Sequence, residues 1–280
     1  MSAAQLTQKD IETFWNDGYV FKRGLLASDE VAMVDTLIRS DTSISKNSVL
    51  LDDSAGGSTE LAVWNHPGDD LLGVISRSER VAGGAAKLLD AEVYHYHSKL
   101  TMKRPRKGGA WDWHQDYGYW YMNGCLFPDM LSVAIAVDPA TKQNGCLQFL
   151  RGSHKAGRIE HGRVGGQTGA DIDRVNALMT KLDHVYAEMQ AGDAVFFHAN
   201  TLHASAANTS DKSRNVLLCC YNAASNDPVK KHHHPGYTKL DIVPDARIRE
   251  VGRSGVVAHL DFLNHEEDET VVGKRATSEV

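Results

Sequence analysis

A-W-D-W-H-Q-D-Y-G-Y-W-Y, residues 110–121, is the stretch around which the rest of the chain is read. In extended backbone, alternate side chains leave the same face, so His114 and Asp116 project together, an imidazole beside a carboxylate. A third donor has to come from elsewhere, and His203 in T-L-H-A-S, 87 residues past Asp116, is the candidate. Two histidines and one carboxylate on one side of an ion leave its other side open, the ligand set of non-haem iron(II) centres. Two residues compete for these places. Asp112 lies two before His114 and nominally shares its face, and His198 is a second imidazole close to His203.

Further segments extend the pattern along the chain. They are T-Q-K-D-I-E-T-F-W-N-D-G-Y-V (7–20), W-H-Q-D (113–116), N-G-C-L-Q-F-L-R-G-S-H (144–154) and G-D-A-V-F-F-H-A-N-T-L-H-A-S-A-A-N-T-S-D-K-S-R (192–214). With these segments in this order, the chain resembles the phytanoyl-CoA dioxygenase family of iron(II)- and 2-oxoglutarate-dependent oxygenases. The resemblance implies a mainly β fold: a double-stranded β-helix (jelly-roll, cupin-like) core with flanking N-terminal helices. It implies His114, Asp116 and His203 as catalytic iron(II) ligands, with Asp116 preferred over Asp112 because it completes W-H-Q-D. His198 is then left to packing. Arg214, eleven residues past His203, is implied to pair with the outer carboxylate of 2-oxoglutarate, assisted by Ser205. A planar guanidinium suits that task because it meets a carboxylate through two parallel hydrogen bonds.

The implied reaction is hydroxylation of a small polar metabolite by dioxygen, with release of succinate and carbon dioxide. Two other readings use the same residues. A cupin-like metal-dependent isomerase or lyase keeps the triad but has no use for Arg214, and a non-catalytic small-molecule-binding protein does not account for a metal triad and an anion clamp together.

Bulk properties fit a single domain over residues 1–280, a length that fills one large β core. There are 30 Lys and Arg against 36 Asp and Glu, a formal charge of -6 with no basic block, so nucleic acid is not an expected partner. No run approaches the ~20 apolar residues of a membrane helix, and M-S-A-A-Q-L-T-Q-K-D is not a secretory leader. No membrane partner is expected, and the oligomeric state reads as monomer or homodimer. Cys125, Cys146, Cys219 and Cys220 make no disulfide framework, and reduced thiols point to a cytoplasmic protein.

Thr7 and Asp10 read as a capping box before a helix through Ile11, Phe14 and Trp15, ended by Gly18. Ser28 is expected to cap a second helix through Val31, Val34, Leu37 and Ile38. The glycine-rich D-D-S-A-G-G-S-T-E (52–60) reads as a flexible loop, and V-W-N-H-P (63–67) as part of a lid or a surface turn. Residues 71–89 are helical with a break at Gly83-Gly84.

From residue 91 to residue 103 the period is two. Tyr94, Tyr96, Ser98 and Leu100 take one face, with His95, His97, Lys99, Thr101 and Lys103 on the other. The family resemblance favours a cosubstrate contact from this strand, through Lys99 or Lys103. Residues 131–137 form a buried strand, and residues 157–169 a mobile insertion before a helix over 171–182. His154 is expected to be structural, and His232-His233-His234 a loop or adventitious metal tract. The charged tail beyond Asp261 is expected to fray.

Tyr117, Tyr119, Trp120 and Tyr121 are too aromatic for an ordinary exposed loop; core packing can absorb one or two of them, and as a group they also read as a substrate-pocket wall. With Asp112 nearby, an amine or quaternary ammonium substrate is the leading expectation, since a cation over an aromatic face gains ~0.5–2 kcal/mol.

Overall fold

Thr7 and Asp10 cap each other: the Asp10 amide donates to the Thr7 hydroxyl at 3.2 Å, and the Thr7 amide donates to the Asp10 carboxylate at 2.7 Å. In the computed structural model, which describes residues 5–53, 55–164, 167–254, 262–263 and 274–275, this box starts α1 (Gln8–Asp17). Gly18, at φ 85°, ends it by donating to the Phe14 carbonyl at 2.8 Å. No side chain fits there, because a Cβ would stand 2.5 Å from His154 Nδ1.

The chain continues through β1 (Tyr19–Lys22), α2 (Ser28–Ser40), α3 (Thr42–Lys46), β2 (Val49–Asp52), β3 (Ser58–Trp64), α4 (Leu71–Arg77) and α5 (Gly84–Leu89). Then come β4 (Val93–Lys103), β5 (Trp111–His114), α6 (Asp116–Met122), β6 (Met130–Ala136), β7 (Leu147–Leu150), β8 (His161–Val164), β9 (Gln167–Ala170) and α7 (Ile172–Met179). The last elements are β10 (His184–Tyr186), β11 (Ala194–His198), β12 (His203–Ser205), β13 (Arg214–Ala223), α8 (Ala246–Ser254) and β14 (Lys274–Arg275).

One antiparallel sheet has the order β1-β11-β6-β13-β4-β3-β2-β14, and a smaller one the order β10-β7-β12-β5. Phe149 of β7 packs with Phe197, Val195, Val216 and Leu218 of the large sheet, so the two sheets close on a shared apolar layer. The other face of the large sheet packs helical residues, including Phe14, Val34, Leu72, Ile75 and Ile248. This is a double-stranded β-helix with flanking helices. No helix among the described residues is long and apolar enough to cross a membrane. The four cysteines are buried and free.

Several expectations are corrected. Ser28 is the first helical residue and not the cap; Glu30 caps α2 instead by accepting from the Ala27 amide at 2.9 Å. Residues 52–60 are no free loop: Asp52 and Ser58–Glu60 belong to the paired strands β2 and β3, and Asp53 between them is pinned by accepting from the Gly57 and Ala110 amides, while Ser54 lies outside the described residues. Val63 and Trp64 belong to buried β3, not to a lid or turn. Residues 157–169 include the β8–β9 hairpin. Gly84 finds its purpose in packing, since a Cβ would lie 3.2 Å from the Phe196 ring. Most of the tail beyond Asp261 lies outside the described residues.

The strict alternation expected along β4 also fails. The pairing with β13 steps from Cys220↔His97 to Tyr221↔His95, leaving Tyr96 as an extra residue. A bulge re-aims the side chains before it. His95 consequently joins Ser98, its Nε2 2.7 Å from the hydroxyl, while His97, Lys99 and Thr101 face the cavities described next.

Candidate metal centre and active site

His203 begins β12 and pairs directly across from His114 at the end of β5, with ring centroids 4.0 Å apart. Asp116 is not on that strand, as expected from the sequence, but is the first residue of α6. Only Gln115 intervenes, in extended conformation (φ -114°, ψ 135°), so both side chains still emerge on one side. Gln115 itself is a hub that sequence reasoning missed. Its amide donates to the Gly157 and Asn200 carbonyls at 2.8 and 2.7 Å and accepts from the Ile159 amide at 2.7 Å. It ties the excursion after β7 and the turn before β12 to the same point.

Asp116 Oδ1 lies 4.0 Å from His114 Nε2 and 3.9 Å from His203 Nε2, and one donor atom from each residue falls within 4.8 Å of the others. The second carboxylate oxygen accepts the Ser132 hydroxyl at 2.6 Å. A carbonyl only accepts, so His114 Nδ1 donates to the Asp112 carbonyl (2.7 Å) and His203 Nδ1 to the Thr201 carbonyl (3.0 Å). That tautomer leaves both Nε2 lone pairs turned to Asp116, the arrangement of metal-binding histidines. Burial pushes both imidazoles below their ordinary pKa, His114 strongly, which keeps them neutral and able to bind a cation. The donor set fits a divalent iron ion. Asp112 contributes only its carbonyl; its carboxyl, pushed up in pKa by burial, is outside the cluster.

On one side of the triad, His114 and His203 share a cavity with Thr59, Lys99, Thr101, Trp111, Ser205 and Arg214. Arg214 opens β13 and is buried, donating through Nη1 to the Thr101 hydroxyl at 3.0 Å. Its Nε has no partner, and no carboxylate among the described residues pairs with the guanidinium. Burial pushes its pKa down to about 10. A buried, unpaired guanidinium is costly unless an anion reaches it, so the cavity fits the carboxylate end of 2-oxoglutarate. Thr101 was not singled out from the sequence. Lys99 lines the cavity, with Nζ 4.0 Å from Asp116 Oδ1. Lys103 does not line it; its ammonium donates to the Ser205 hydroxyl at 2.7 Å and the Ala206 carbonyl at 2.6 Å.

On the other side, His114 and Asp116 border a second cavity with Leu61, Val63, His97, Lys99, Trp111, Tyr119, Trp120, Asn123, His234 and Leu263. The expected four-aromatic wall is halved because these residues form a helix, which turns successive side chains by about 100°. Tyr119 and Trp120 face the cavity. Tyr117 is buried in an aromatic cluster and donates to the Cys125 carbonyl at 3.2 Å, and Tyr121 is exposed with Arg158 over its ring. Neither Tyr117, Tyr121 nor Asp112 lines the cavity, so the proposed cation receptor is not assembled.

The histidine tract is a loop, as expected, but one packed against the site. His234 stacks on His97 (centroids 4.3 Å, 21°), and its Nδ1 lies 2.9 Å from Asn65 Oδ1. No local signal joins residues so distant in sequence. Tyr119 and Asn123 also line an outer cleft of about 470 Å³ edged by Arg158, His161, Lys230 and Lys231. His198 and His154 pack together behind α1, and His154 Nε2 donates to the Trp15 carbonyl at 3.0 Å.

Residues 14–216 match the phytanoyl-CoA dioxygenase (PhyH) family. The chain is 32% identical over 196 residues to L-proline trans-4-hydroxylase from Streptomyces griseoviridis, covering 64% of this chain and 73% of that protein. It is 26% identical over 239 residues to ectoine dioxygenase from Stutzerimonas stutzeri, covering 80% and 79%. Among solved structures, EctD from S. alaskensis in its apoform aligns with a TM-score of 0.72 at 21% identity, over 85% of this chain and 88% of that one. The same protein with 2-oxoglutarate and 5-hydroxyectoine gives 0.68 at 20% identity, over 87% and 89%. The structural likeness is one of fold.

Proposed function

Because the chain belongs to the phytanoyl-CoA dioxygenase family and is an iron(II)- and 2-oxoglutarate-dependent dioxygenase, we propose that it hydroxylates a small polar metabolite, releasing succinate and carbon dioxide. The observation that carries this reading is the convergence of two bare Nε2 atoms on Asp116 beside a buried arginine with no carboxylate partner among the described residues.

In this reading His114, Asp116 and His203 hold iron(II), which when bound supplies, with 2-oxoglutarate and dioxygen, the oxidising chemistry that puts one oxygen atom into a substrate C–H bond. Asp116 neutralises part of the ion's charge, and Ser132 fixes which carboxylate oxygen faces it. Arg214, Ser205 and Thr101 grip the far carboxylate of 2-oxoglutarate in the first cavity. Lys99, between the two cavities, adds positive charge beside the cosubstrate. Substrate occupies the second cavity, where Tyr119, Trp120, His97, His234 and Asn123 orient it while Leu61, Val63 and Leu263 exclude water.

The small polar substrate is supported by this mixed lining and by relatives named for L-proline and ectoine. Of the four aromatics expected to meet an amine, Tyr119 and Trp120 are the two that line this cavity. The isomerase reading leaves Arg214 without a use, and the binding-protein reading does not account for a metal triad and an anion clamp side by side. The test is succinate release from 2-oxoglutarate across amines, amino acids, phosphonates and acyl thioesters, with mass detection of an added oxygen. Coupled turnover of a small polar compound is expected; coupling confined to a bulky apolar one refutes the proposal.

A further inference from the structure

Lys103 is the last residue of β4 and pairs in register with Arg214, the first of β13. Its side chain is almost wholly buried, at 1% exposure, and no acidic partner reaches it among the described residues. The fold makes room for it. A Cβ on Gly108 would fall 2.5 Å from Lys103 Cβ, and one on Gly145, at φ 80°, 3.2 Å from the ammonium. Asn208 donates to the Lys103 carbonyl at 3.2 Å, so the 205–208 turn is wrapped onto this residue. Burying a cation without an anion is unfavourable, and a residue kept there at that cost needs a purpose.

The hydrogen-bond inventory supplies one. An ammonium has donors and no lone pair, so in its 2.7 Å contact with Ser205 the hydroxyl oxygen is the acceptor. The hydroxyl proton is then left for the cavity that Ser205 lines with Arg214. Thr101 is set the same way, its oxygen accepting from Arg214. We infer that Lys103 is a positioning residue for the anion pocket, holding the Ser205 oxygen so that the hydroxyl donates to the far carboxylate of 2-oxoglutarate.

This rests on the reading that Arg214 and Ser205 bind that carboxylate, and it replaces a direct lysine contact with an indirect one. Burial, then the nearby Arg214 charge, pushes the Lys103 pKa well below its ordinary value. An arriving carboxylate offsets the Arg214 charge, which favours the protonated, donating form when cosubstrate is bound.

The experiment is calorimetric titration of 2-oxoglutarate into the iron-loaded, oxygen-free protein and into its S205A, K103M, K103Q and K103M/S205A forms, with iron affinity measured beside it. Lys103→Met and Ser205→Ala are each expected to weaken binding about tenfold, the scale of one charge-assisted hydrogen bond. The double variant is expected to be no weaker than the worse single one, because both remove the same contact. Lys103→Gln, which keeps a donor, should fall between wild type and Lys103→Met, and it carries the comparison should Lys103→Met not fold. Wild-type affinity in the lysine variants, or losses that multiply in the double variant, overturns the inference. Unchanged affinity in both Arg214→Ala and Ser205→Ala would instead overturn the pocket assignment on which it rests.

Discussion

His203 stands directly opposite His114 across the β12–β5 pairing, and both rings turn Nε2 toward the same oxygen of Asp116. Because backbone pairing places the two imidazoles, removing one side chain should spare the sheet. His114→Ala and His203→Ala are each expected to lose stoichiometric iron(II) and hydroxylation while keeping a wild-type circular dichroism spectrum. Asp116→Ala should lose hydroxylation as well. Retained hydroxylation in all three variants would contradict the triad.

Ser132 tests whether the shell behind the metal matters. Its hydroxyl is a 2.6 Å donor to the Asp116 oxygen facing away from the histidines. Partners of this kind are typically worth about 10–100-fold in metal affinity, and Ser132→Ala is expected to lie in that range when iron(II) competes with a chelator. Undiminished affinity would mean that packing alone orients Asp116.

Arg214 should divide cosubstrate from metal. Arg214→Ala is expected to weaken 2-oxoglutarate by more than tenfold, with iron(II) affinity little changed, since the guanidinium touches Thr101 and not the triad. Ser205→Ala should have the smaller effect. Equal losses of iron and 2-oxoglutarate would show that the residue supports the whole site.

Much of this was readable from W-H-Q-D, T-L-H-A-S and the arginine eleven residues on, because short backbone segments fix those side chains relative to their own strands. The β-helix came with that resemblance. The misplaced aromatics and His95 have one physical origin: a pattern of period two does not announce where it stops or is interrupted. The strand ends at His114, so the aromatics after it spread around a helix, and the bulge at Tyr96 moves His95 off the face of His97. Contacts made only by tertiary packing were invisible as well. The His97–His234 stack and the Lys103–Ser205 bond join residues more than 100 positions apart.

Acid should destabilise the metal-free fold. Burial holds His95 and His198 at pKa about 3, against the ordinary 6.5. Below pH 6.5 the unfolded chain takes up protons that the folded chain refuses, so stability falls as pH drops from there toward 3. Each of the two is expected to contribute about 2 kcal/mol of loss at pH 5. Thermal melts at pH 7 and pH 5 should show a drop that shrinks in His198→Gln. An unchanged acid drop in that variant would contradict the assignment.

The most direct measurement is an anaerobic absorbance titration of the metal-free protein with iron(II) and 2-oxoglutarate. Iron held by His114, Asp116 and His203 with 2-oxoglutarate chelated beside it should give a metal-to-ligand charge-transfer band that requires both components. The band should weaken in Arg214→Ala at limiting cosubstrate and vanish in His203→Ala. Correctly folded protein that binds iron(II) yet develops no band at saturating 2-oxoglutarate would contradict the assignment of this centre.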